Sequence, residues 1–321
     1  MSNDKREIME KVKSLPKLIL DEVSKVIVGK REVLELVLLG LISNSHILIE
    51  DYPGLAKTLM AKSFAKAFNL EFKRIQFTSD MLPSDILGSY VFNRATSQFE
   101  FRKGPIFANI ILADEINRAP PRTQSALLEA MQEKQVTVER QTFYLEKPFI
   151  VLATQNPIEY EGTYPLPEAE VDRFIMKISI GYPSLEEETE ILKRRIERKA
   201  DDIEIKPIAS KEDLLTLQYL AEEVFVSYDI NKYIAAIVQA TRRSPEIEVG
   251  ASVRGSLAIL KLARAKALIE GRKYVIPDDV KYVSIHALRH RLILKPEFWL
   301  KGIKSEEIIQ RILNEVPVPK I

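Results

Sequence analysis

The chain contains 321 residues, which is enough for two domains with a sizeable core. Hydrophobic residues make up 46% of the chain and charged residues 29%, a balance typical of globular proteins. The formal net charge of +1 argues against a broad basic surface, so we do not expect nucleic acid as a partner. The absence of cysteine excludes disulfides, thiolate metal sites and a cysteine nucleophile.

Targeting and membrane signals are not predicted. Residues 1–14 are charged and have no apolar core of the kind a signal peptide needs. The longest apolar run, residues 33–42, is interrupted by Glu35 and Gly40 and is too short to span a bilayer. We therefore expect a cytoplasmic protein with no membrane span.

The first part of the chain predicts two helices, a strand and a third helix. Residues 4–24 place apolar side chains at helical spacing, and Pro16 is expected to break this helix. A second helix is predicted over residues 31–43. The apolar run 47–49 has the pattern of a short buried strand, and a helix-forming run covers residues 59–68.

The segment between this strand and the third helix has the plan of a phosphate-binding loop. Gly54 lies in a tight turn, and Lys57-Thr58 open the helix. In such loops backbone N–H groups and the helix N-terminus surround the phosphates, a lysine reaches the β- and γ-phosphates, and a threonine hydroxyl binds Mg²⁺. The pattern G-x-x-x-x-G-K-[ST] is met imperfectly, because Asp51 and Ala56 stand at the two glycine positions. The alternative is an ordinary strand–helix turn with a solvated Lys57.

The remaining elements alternate between strands and helices, which predicts a parallel sheet covered by helices. Strands or hairpin strands are expected at 72–77, 90–92, 98–101, 109–113, 135–145, 149–153 and 174–178, with a helix beginning at Pro120-Pro121. From Ser184 onward only helices are predicted, at 186–199, 211–224, 229–242, 252–270 and 277–289. We therefore expect an α/β domain over residues 1–183 and a helical domain over 184–321.

Two acidic residues complete the pattern of a nucleotide-hydrolysis site. Asp114 and Glu115 follow the apolar strand 109–113, whose end should lie beside the phosphate loop. At that position Asp114 would face the Mg²⁺ shell, and Glu115 would face a water in line with the γ-phosphate. A solvated acidic cap is the usual meaning of two acids after a strand, but Lys57-Thr58 upstream favours the catalytic interpretation.

Longer motifs resemble one family. The run from Leu112 to Met131, LADEINRAPPRTQSALLEAM, closely resembles the MoxR family of AAA+ ATPases, as do FTSDMLPSD at 77–85 and GPIFAN at 104–109. The similarity extends from Val26 to about Leu292. The resemblance implies a P-loop AAA+ core with a parallel sheet between helices, followed by a C-terminal all-α lid domain. It further implies a helix-2 insert at 85–103 and a hairpin before sensor 1 at 135–146.

The resemblance also assigns site residues. Val28-Gly29 resembles the segment that lines the adenine pocket, Asn156 resembles the polar sensor that orients water, and Arg173 lies in a segment similar to that of an arginine finger acting in trans. Arg254 resembles a second sensor, although Val253 and Gly255 flank it where the family more often has proline and alanine. The implied phosphate loop consists of Asp51, Tyr52, Pro53, Gly54, Leu55, Ala56, Lys57, Thr58 and Leu59.

Simpler structural roles remain open for some of these residues. Arg173 could pair with Asp172 or Glu170, and Arg254 could be an ordinary residue at a helix N-terminus. Gln76, at the end of its strand, could restrain Glu115 until a ligand arrives.

The function implied by the resemblance is Mg²⁺-dependent ATP hydrolysis, with ATP/ADP and Mg²⁺ as cofactors. A finger acting in trans requires a homo-oligomer, expected to be a hexameric ring that remodels or activates a client protein. The family's clients often contain a von Willebrand factor A domain. Three alternatives stay open: a nucleotide-dependent binding switch with little hydrolysis, suggested by Asp51 and Ala56, a magnesium-chelatase-like ATPase subunit, and a DNA motor.

Overall fold

A five-stranded parallel sheet forms the centre of the protein. The computed structural model describes residues 3–158, 162–201 and 203–319, with side chains from Ser14 onward. The strands of this sheet are β1 Ile47–Glu50, β2 Phe72–Gln76, β5 Ile110–Asp114, β8 Ile150–Gln155 and β9 Met176–Ile178. Their spatial order is β2, β5, β8, β1 and β9, and all neighbours are parallel.

The middle strands consist of apolar residues because helices cover both faces of the sheet. Leu48, Ile111 and Val151 belong to one buried cluster, whereas Ile49, Ile110 and Leu152 belong to another. Successive side chains of a strand point to opposite faces, so each strand supplies both clusters. The helices of this part are α1 Asn3–Ser24, α2 Arg31–Ile42, α3 Lys57–Ala67, α4 Pro83–Leu87, α5 Pro121–Glu133 and α6 Glu168–Val171, with a short 3₁₀ helix at Ile116–Arg118.

The break expected at Pro16 is wrong. Helix α1 continues through Pro16 to Ser24, and its buried residues Leu15, Ile19 and Val23 belong to the main core cluster. A proline inside a helix costs about 3 kcal/mol, since it removes a hydrogen bond and crowds the preceding turn. Burying apolar side chains contributes about 1.5–3 kcal/mol each, so the packing of α1 outweighs that cost.

Two antiparallel hairpins extend from the α/β part, as the sequence predicts. The first consists of β3 Gly88–Asn93 and β4 Gln98–Lys103, and the second of β6 Gln135–Val138 and β7 Gln141–Tyr144. The rings of Phe101 and Phe143 stack with their centroids 4.1 Å apart, and this contact joins the two hairpins. Phe92, Phe99 and Tyr144 remain exposed.

The C-terminal part is helical, with one departure from the expected all-α composition. Its helices are α7 Leu185–Arg198, α8 Lys211–Glu222, α9 Tyr228–Arg243, α10 Val253–Ile269, α11 Pro277–Leu288, α12 Pro296–Trp299 and α13 Ser305–Glu315. The sequence predicted no strand here, but β10 Ile247–Val249 and β11 Ile293–Leu294 pair as a short antiparallel ribbon. These strands are three and two residues long, respectively, and are too short to show an alternating pattern.

The helical part shares a core with the sheet. One continuous cluster of buried side chains includes Ile47 and Met176 of the sheet, Leu214 of α8 and Leu262 of α10. None of the helices in the described part of the chain is long and apolar enough to cross a membrane.

A buried ion pair holds the start of α11 and yields a stability prediction. The Asp279 carboxylate is buried and accepts hydrogen bonds from Arg272 Nη1 at 2.7 Å, from Arg272 Nη2 at 2.5 Å and from the Ile276 N–H at 2.9 Å. Replacing Asp279 with alanine would leave a guanidinium and a backbone N–H without this acceptor. We expect Asp279→Ala to lower the free energy of unfolding by about 3 kcal/mol.

Urea denaturation followed by circular dichroism measures this change. Asp278→Ala is the matched control, because Asp278 is an exposed acid in the same first helical turn. Equal unfolding midpoints for the two variants would contradict the assignment of stability to the Arg272 pair.

Candidate active site

Polar residues gather where the parallel strands end. The loop after β1 leads into α3, β5 ends at Asp114, and β8 is followed by Asn156. The carboxyl ends of parallel strands lie on the same edge of a sheet, and ligands of open α/β sheets bind there. The strand order therefore places these three segments side by side.

The loop between β1 and α3 has the backbone shape of an anion site. Gly54 and Ala56 both have positive φ, at 81° and 57°, and α3 begins immediately afterwards at Lys57. Lys57 Nζ donates to the Asp51 carbonyl oxygen at 2.5 Å. Burial lowers the pKa of Lys57, and the carboxylates of Asp51, Asp114 and Glu115 oppose that shift. The free N–H groups at the start of α3 and the ammonium thus face the same loop.

Asp51 turns its carboxylate away from this anion site. Oδ2 accepts from the backbone N–H groups of Ile180 at 2.5 Å and Gly181 at 2.8 Å, and Oδ1 accepts from the Tyr52 N–H at 3.0 Å. Asp51 is buried. Its side chain therefore ties the phosphate loop to the segment after β9, and neither Asp51 nor Tyr52 lines the cavities described next.

Two adjoining cavities share the loop. The polar cavity, of about 320 Å³, is lined by Pro53, Gly54, Leu55, Ala56, Lys57, Thr58, Leu59, Arg74, Asp114, Glu115 and Asn156. The apolar cavity, also about 320 Å³, continues on the other side of Gly54, Leu55, Ala56 and Leu59. A nucleotide has the same division, with a flat base at one end and a charged phosphate chain at the other.

The apolar cavity lies between the end of α1, the loop and α7. Its walls include Val26, Ile27, Val28, Ile180, Ile191 and Ile203. Gly29 follows Val28 with a φ of 73°, and a Cβ there would collide with Glu187 of α7. Val28 therefore lines this cavity and Gly29 directly follows it, while the adenine-binding role of both residues stays a prediction. Tyr52 instead stacks on Tyr182, with ring centroids 5.6 Å apart.

The two acids at the end of β5 are held by the neighbouring strand β8. Thr154 Oγ1 donates to Asp114 Oδ1 at 2.6 Å and accepts from the Glu115 N–H at 2.8 Å. Glu115 has a φ of 57°, a left-handed conformation that is strained for a residue with a side chain. Thr154 thus fixes the positions of both acids, a role that sequence reasoning missed because the strand predicted over 149–153 stopped one residue before it.

Basic and amide side chains of β2, and one arginine of the 3₁₀ helix, also contact the acids. Arg74 donates to Asp114 Oδ2, from Nη2 at 2.7 Å and from Nε at 3.0 Å. Gln76 Nε2 donates to Glu115 Oε2 at 2.7 Å, which is the restraining contact considered for Gln76. Arg118 Nη1 donates to the same oxygen at 3.0 Å. Arg74 was not predicted, because the sequence of one strand does not show which side chains of the neighbouring strand lie beside it.

The donor set fits a Mg²⁺ ion bound together with nucleotide. Thr58 and Asp114 line the same polar cavity and offer a hydroxyl and a carboxylate. No cluster of three or more His, Asp or Glu side chains suited to a metal occurs among the described residues. Mg²⁺ keeps several waters and takes its other ligands from one or two protein oxygens and substrate phosphates, so Thr58 and Asp114 meet its needs.

Arg173 and Arg254 lie together in a third cavity rather than in the polar one. This basic cavity, of about 290 Å³, has as its charged lining Lys134, Asp172, Arg173, Arg254, Lys261 and Arg291. Arg173 lies 3.3 Å from Glu170 Oε2 through Nε and donates from Nη1 to the Leu128 carbonyl at 3.0 Å. The pairing with Glu170 is thus present, and the guanidinium still lines the cavity.

Asp172 is the single acid among these cations. Arg291 Nε donates to its Oδ1 at 2.6 Å, and Arg254 Nη1 lies 3.5 Å from its Oδ2. Burial lowers the pKa of Lys134 to about 8, with a further contribution from the positive charges of Lys261 and Lys147. The cavity therefore holds an excess of positive charge and is suited to an anion.

The comparisons with known proteins agree with this geometry. The profile of the ATPase family associated with various cellular activities (AAA) matches residues 46–176, and that of the AAA lid domain matches residues 239–312. The first match contains the phosphate loop, both acids, Asn156 and Arg173, whereas the second contains Arg254.

Relatives match over almost the whole chain. The Bacillus subtilis protein named Uncharacterized protein YeaC is 49% identical over 94% of this chain and 93% of its own length. Chaperone MoxR1 of Mycobacterium tuberculosis is 45% identical over 94% of this chain and 81% of its own. A crystal structure of a proposed ATPase from Cytophaga hutchinsonii has a TM-score of 0.92 at 44% identity, covering 99% of this chain and 98% of that one. The chain belongs to the MoxR family of AAA+ ATPases.

Proposed function

We propose that the protein hydrolyses ATP with Mg²⁺ as a subunit of a hexameric ring that remodels or activates a client protein. The observation that carries the proposal is the pair of adjoining cavities, one apolar and one polar, that share the phosphate loop. ATP would place its base in the apolar cavity and its phosphates in the polar one.

Residues of the same subunit would bind the nucleotide and orient water. Lys57 and the N–H groups at the start of α3 would hold the phosphates, and Mg²⁺, bound by Thr58 and Asp114, would neutralise charge on them. Glu115 would accept a proton from the attacking water, and Asn156 would orient that water by hydrogen bonding. Thr154 supports this assignment, because it holds both acids at the edge of the cavity.

A neighbouring subunit would supply the remaining positive charge. Arg173 and Arg254 line the basic cavity and not the polar cavity of their own chain. An arginine that stabilises charge on the γ-phosphate has to touch it, so these residues would serve the site of an adjacent copy. We therefore extend the trans role from Arg173 to Arg254, and a closed ring gives every site a donor.

The client is proposed to be another protein, of the kind a chaperone handles. One relative carries the name Chaperone MoxR1, and the family resemblance favours clients with a von Willebrand factor A domain. The two joined hairpins expose Phe92, Phe99 and Tyr144, and exposed aromatic side chains are typical of protein-binding surfaces. We place this work in the cytoplasm.

The geometry of Asp51 and Ala56 favours hydrolysis over the switch alternative. The Asp51 carboxylate is occupied by three backbone N–H groups, so its charge does not face the phosphates. Ala56 adopts the left-handed conformation that glycine would supply. Neither replacement therefore removes a part of the anion site.

Phosphate release tests the proposed activity directly. We expect Glu115→Gln to lower turnover by about 100-fold or more while nucleotide still binds, because it removes only the proton acceptor. Lys57→Ala is expected to weaken nucleotide binding itself. The measurement is steady-state phosphate release over a range of protein concentrations, with binding of a fluorescent ATP analogue in parallel.

The control for this experiment is Glu197→Gln, which makes the same change on the exposed face of α7. Specific activity that rises with protein concentration would support assembly. A wild-type chain that binds ATP without releasing phosphate at any concentration would support the switch.

Mixed rings test whether Arg173 acts in trans. We expect Arg173→Ala to lower turnover by about 100-fold with little change in nucleotide affinity. Mixing it with Glu115→Gln should restore part of the activity, because the second variant keeps its arginine and the first keeps an intact hydrolytic site. Phosphate release from the mixture, compared with each variant alone, is the measurement.

Restored activity also excludes misfolding of Arg173→Ala. Arg122→Ala, which changes an exposed arginine at the start of α5, is the control and should need no rescue. No recovery in the mixture, with both variants assembled, would place Arg173 in its own subunit's site.

The two departures from the usual loop pattern give stability predictions of different size. Asp51→Gly should lower the free energy of unfolding by about 3 kcal/mol, since it leaves buried N–H groups without their acceptor. Ala56→Gly should change it by no more than about 1 kcal/mol, because relief of the left-handed strain offsets added chain entropy. Chemical denaturation measures both. A stable Asp51→Gly protein with faster turnover would show that the carboxylate opposes phosphate binding.

A further inference from the structure

Arg74 is the charged residue of the polar cavity that no step above uses. It lies on the edge strand β2, two residues before Gln76, so both side chains leave the same face of the strand. Gln76 pairs in register with Asp114 of β5. This register brings the Arg74 guanidinium to the Asp114 carboxylate and into the lining of the polar cavity.

The contacts divide the two oxygens of Asp114 between two partners. Oδ1 accepts from Thr154 Oγ1 at 2.6 Å, whereas Oδ2 accepts from Arg74 Nη2 at 2.7 Å and from Nε at 3.0 Å. Thr154 is fully buried in the sheet, so its hydrogen bond to Oδ1 is a structural contact away from solvent. Oδ2 is therefore the oxygen that a Mg²⁺ ion or one of its waters would approach, and it is the oxygen that Arg74 holds.

Arg74 is linked to the second acid as well. Its Nη2 donates to Gln76 Oε1, and Gln76 Nε2 donates to Glu115 Oε2 at 2.7 Å. Because the Gln76 oxygen accepts from Arg74, the amide turns its nitrogen towards Glu115. One guanidinium thus contacts the acid assigned to Mg²⁺ directly and the acid assigned to water through a single amide.

The Arg74 pair has the properties of a reversible contact. The side chain of Arg74 is 47% exposed, so water can replace the bonds that it would lose, while that of Asp114 is 14% exposed. A partly exposed ion pair of this kind is weak, and a divalent cation at the same carboxylate competes with a monovalent guanidinium.

We propose that Arg74 is a positioning residue that serves as the counter-cation of Asp114, and that its competition with Mg²⁺ sets how strongly nucleotide binding depends on the metal. The inference rests on the proposed function, since it requires Mg²⁺ and nucleotide to share the polar cavity. Without metal, Arg74 keeps Asp114 neutralised beside the phosphates. With metal, the guanidinium releases Asp114 Oδ2, and its hydrogen bond to Gln76 Oε1 is weakened as well.

The test is metal linkage measured on binding, without turnover. The dissociation constant of fluorescently labelled ADP is measured in EDTA and in Mg²⁺. The value in EDTA divided by the value in Mg²⁺ reports how much the metal strengthens binding. We expect Arg74→Gln to increase this ratio by about three- to tenfold, because Asp114 then repels phosphate without metal and binds Mg²⁺ without a competitor. Arg74→Lys keeps the charge and should give a ratio within about twofold of wild type.

The matched control is Lys73→Gln, which removes a positive charge from the same strand on the opposite face, where Lys73 pairs with Glu71. A ratio for Arg74→Gln equal to that of Lys73→Gln would overturn the inference. Equal increases for Arg74→Gln and Arg74→Lys would also overturn it, because the shape of the side chain and not its charge would then matter. Wild-type protein that fails to bind ADP with Mg²⁺ would instead overturn the proposed function.

Discussion

The register between the parallel strands is the constraint on which the site depends. Gln76 lies opposite Asp114, and Ala113 lies opposite Ala153, so β2, β5 and β8 end at the same level. A shift of one residue would turn every side chain of a strand to the other face, into a buried cluster that other side chains already fill. Burial on both faces therefore fixes the register, and the register places Arg74, Asp114 and Thr154 within hydrogen-bonding distance.

The phosphate loop shows how an anion site can do without the usual glycines. The proposed attraction for phosphate would come from backbone N–H groups, a helix N-terminus and Lys57, and none of these requires a particular side chain at position 51. The protein uses Asp51 to bind the backbone beyond β9, which fixes the loop against the sheet. Ala56 adopts a left-handed φ, which costs about 1–2 kcal/mol of conformational free energy. Packing of the surrounding residues can offset a cost of this size.

The sequence predicted the strands of the parallel sheet along the chain, both hairpins and the turn between β1 and α3, because each leaves a local pattern of apolar, turn or charged residues. It also predicted the helices at 211–224 and 229–242 to within two residues of α8 and α9. Local patterns failed where tertiary contacts decide. Pro16 stays helical because Leu15, Ile19 and Val23 of α1 are buried in the core, and the ribbon of β10 and β11 is too short to show alternation.

The site was predictable to the same extent. Motifs and the family resemblance pointed to five residues that line the polar cavity, and their chemical roles stay predictions: Lys57, Thr58, Asp114, Glu115 and Asn156. Side-chain direction does not follow from either, which is why Asp51 looked like an obstacle to phosphate and why Arg74 and Thr154 went unnoticed. Each of these three acts on a partner distant in the chain, at separations such as 129 residues for Asp51 and Ile180 and 40 residues for Arg74 and Asp114.

The positive charge of the basic cavity connects the structure of one chain with the proposed ring. The net charge of +1 conceals a local imbalance, since Arg173, Arg254 and Arg291 surround the single carboxylate of Asp172. Arg291 is nearly buried and bound at 2.6 Å, so it neutralises Asp172 and leaves the more exposed Arg254 with a weaker partner at 3.5 Å. An outside anion can then still pair with Arg254, and with Arg173 beside its contact with Glu170 at 3.3 Å. The γ-phosphate of ATP bound to an adjacent subunit is an anion that a ring would bring to every such cavity.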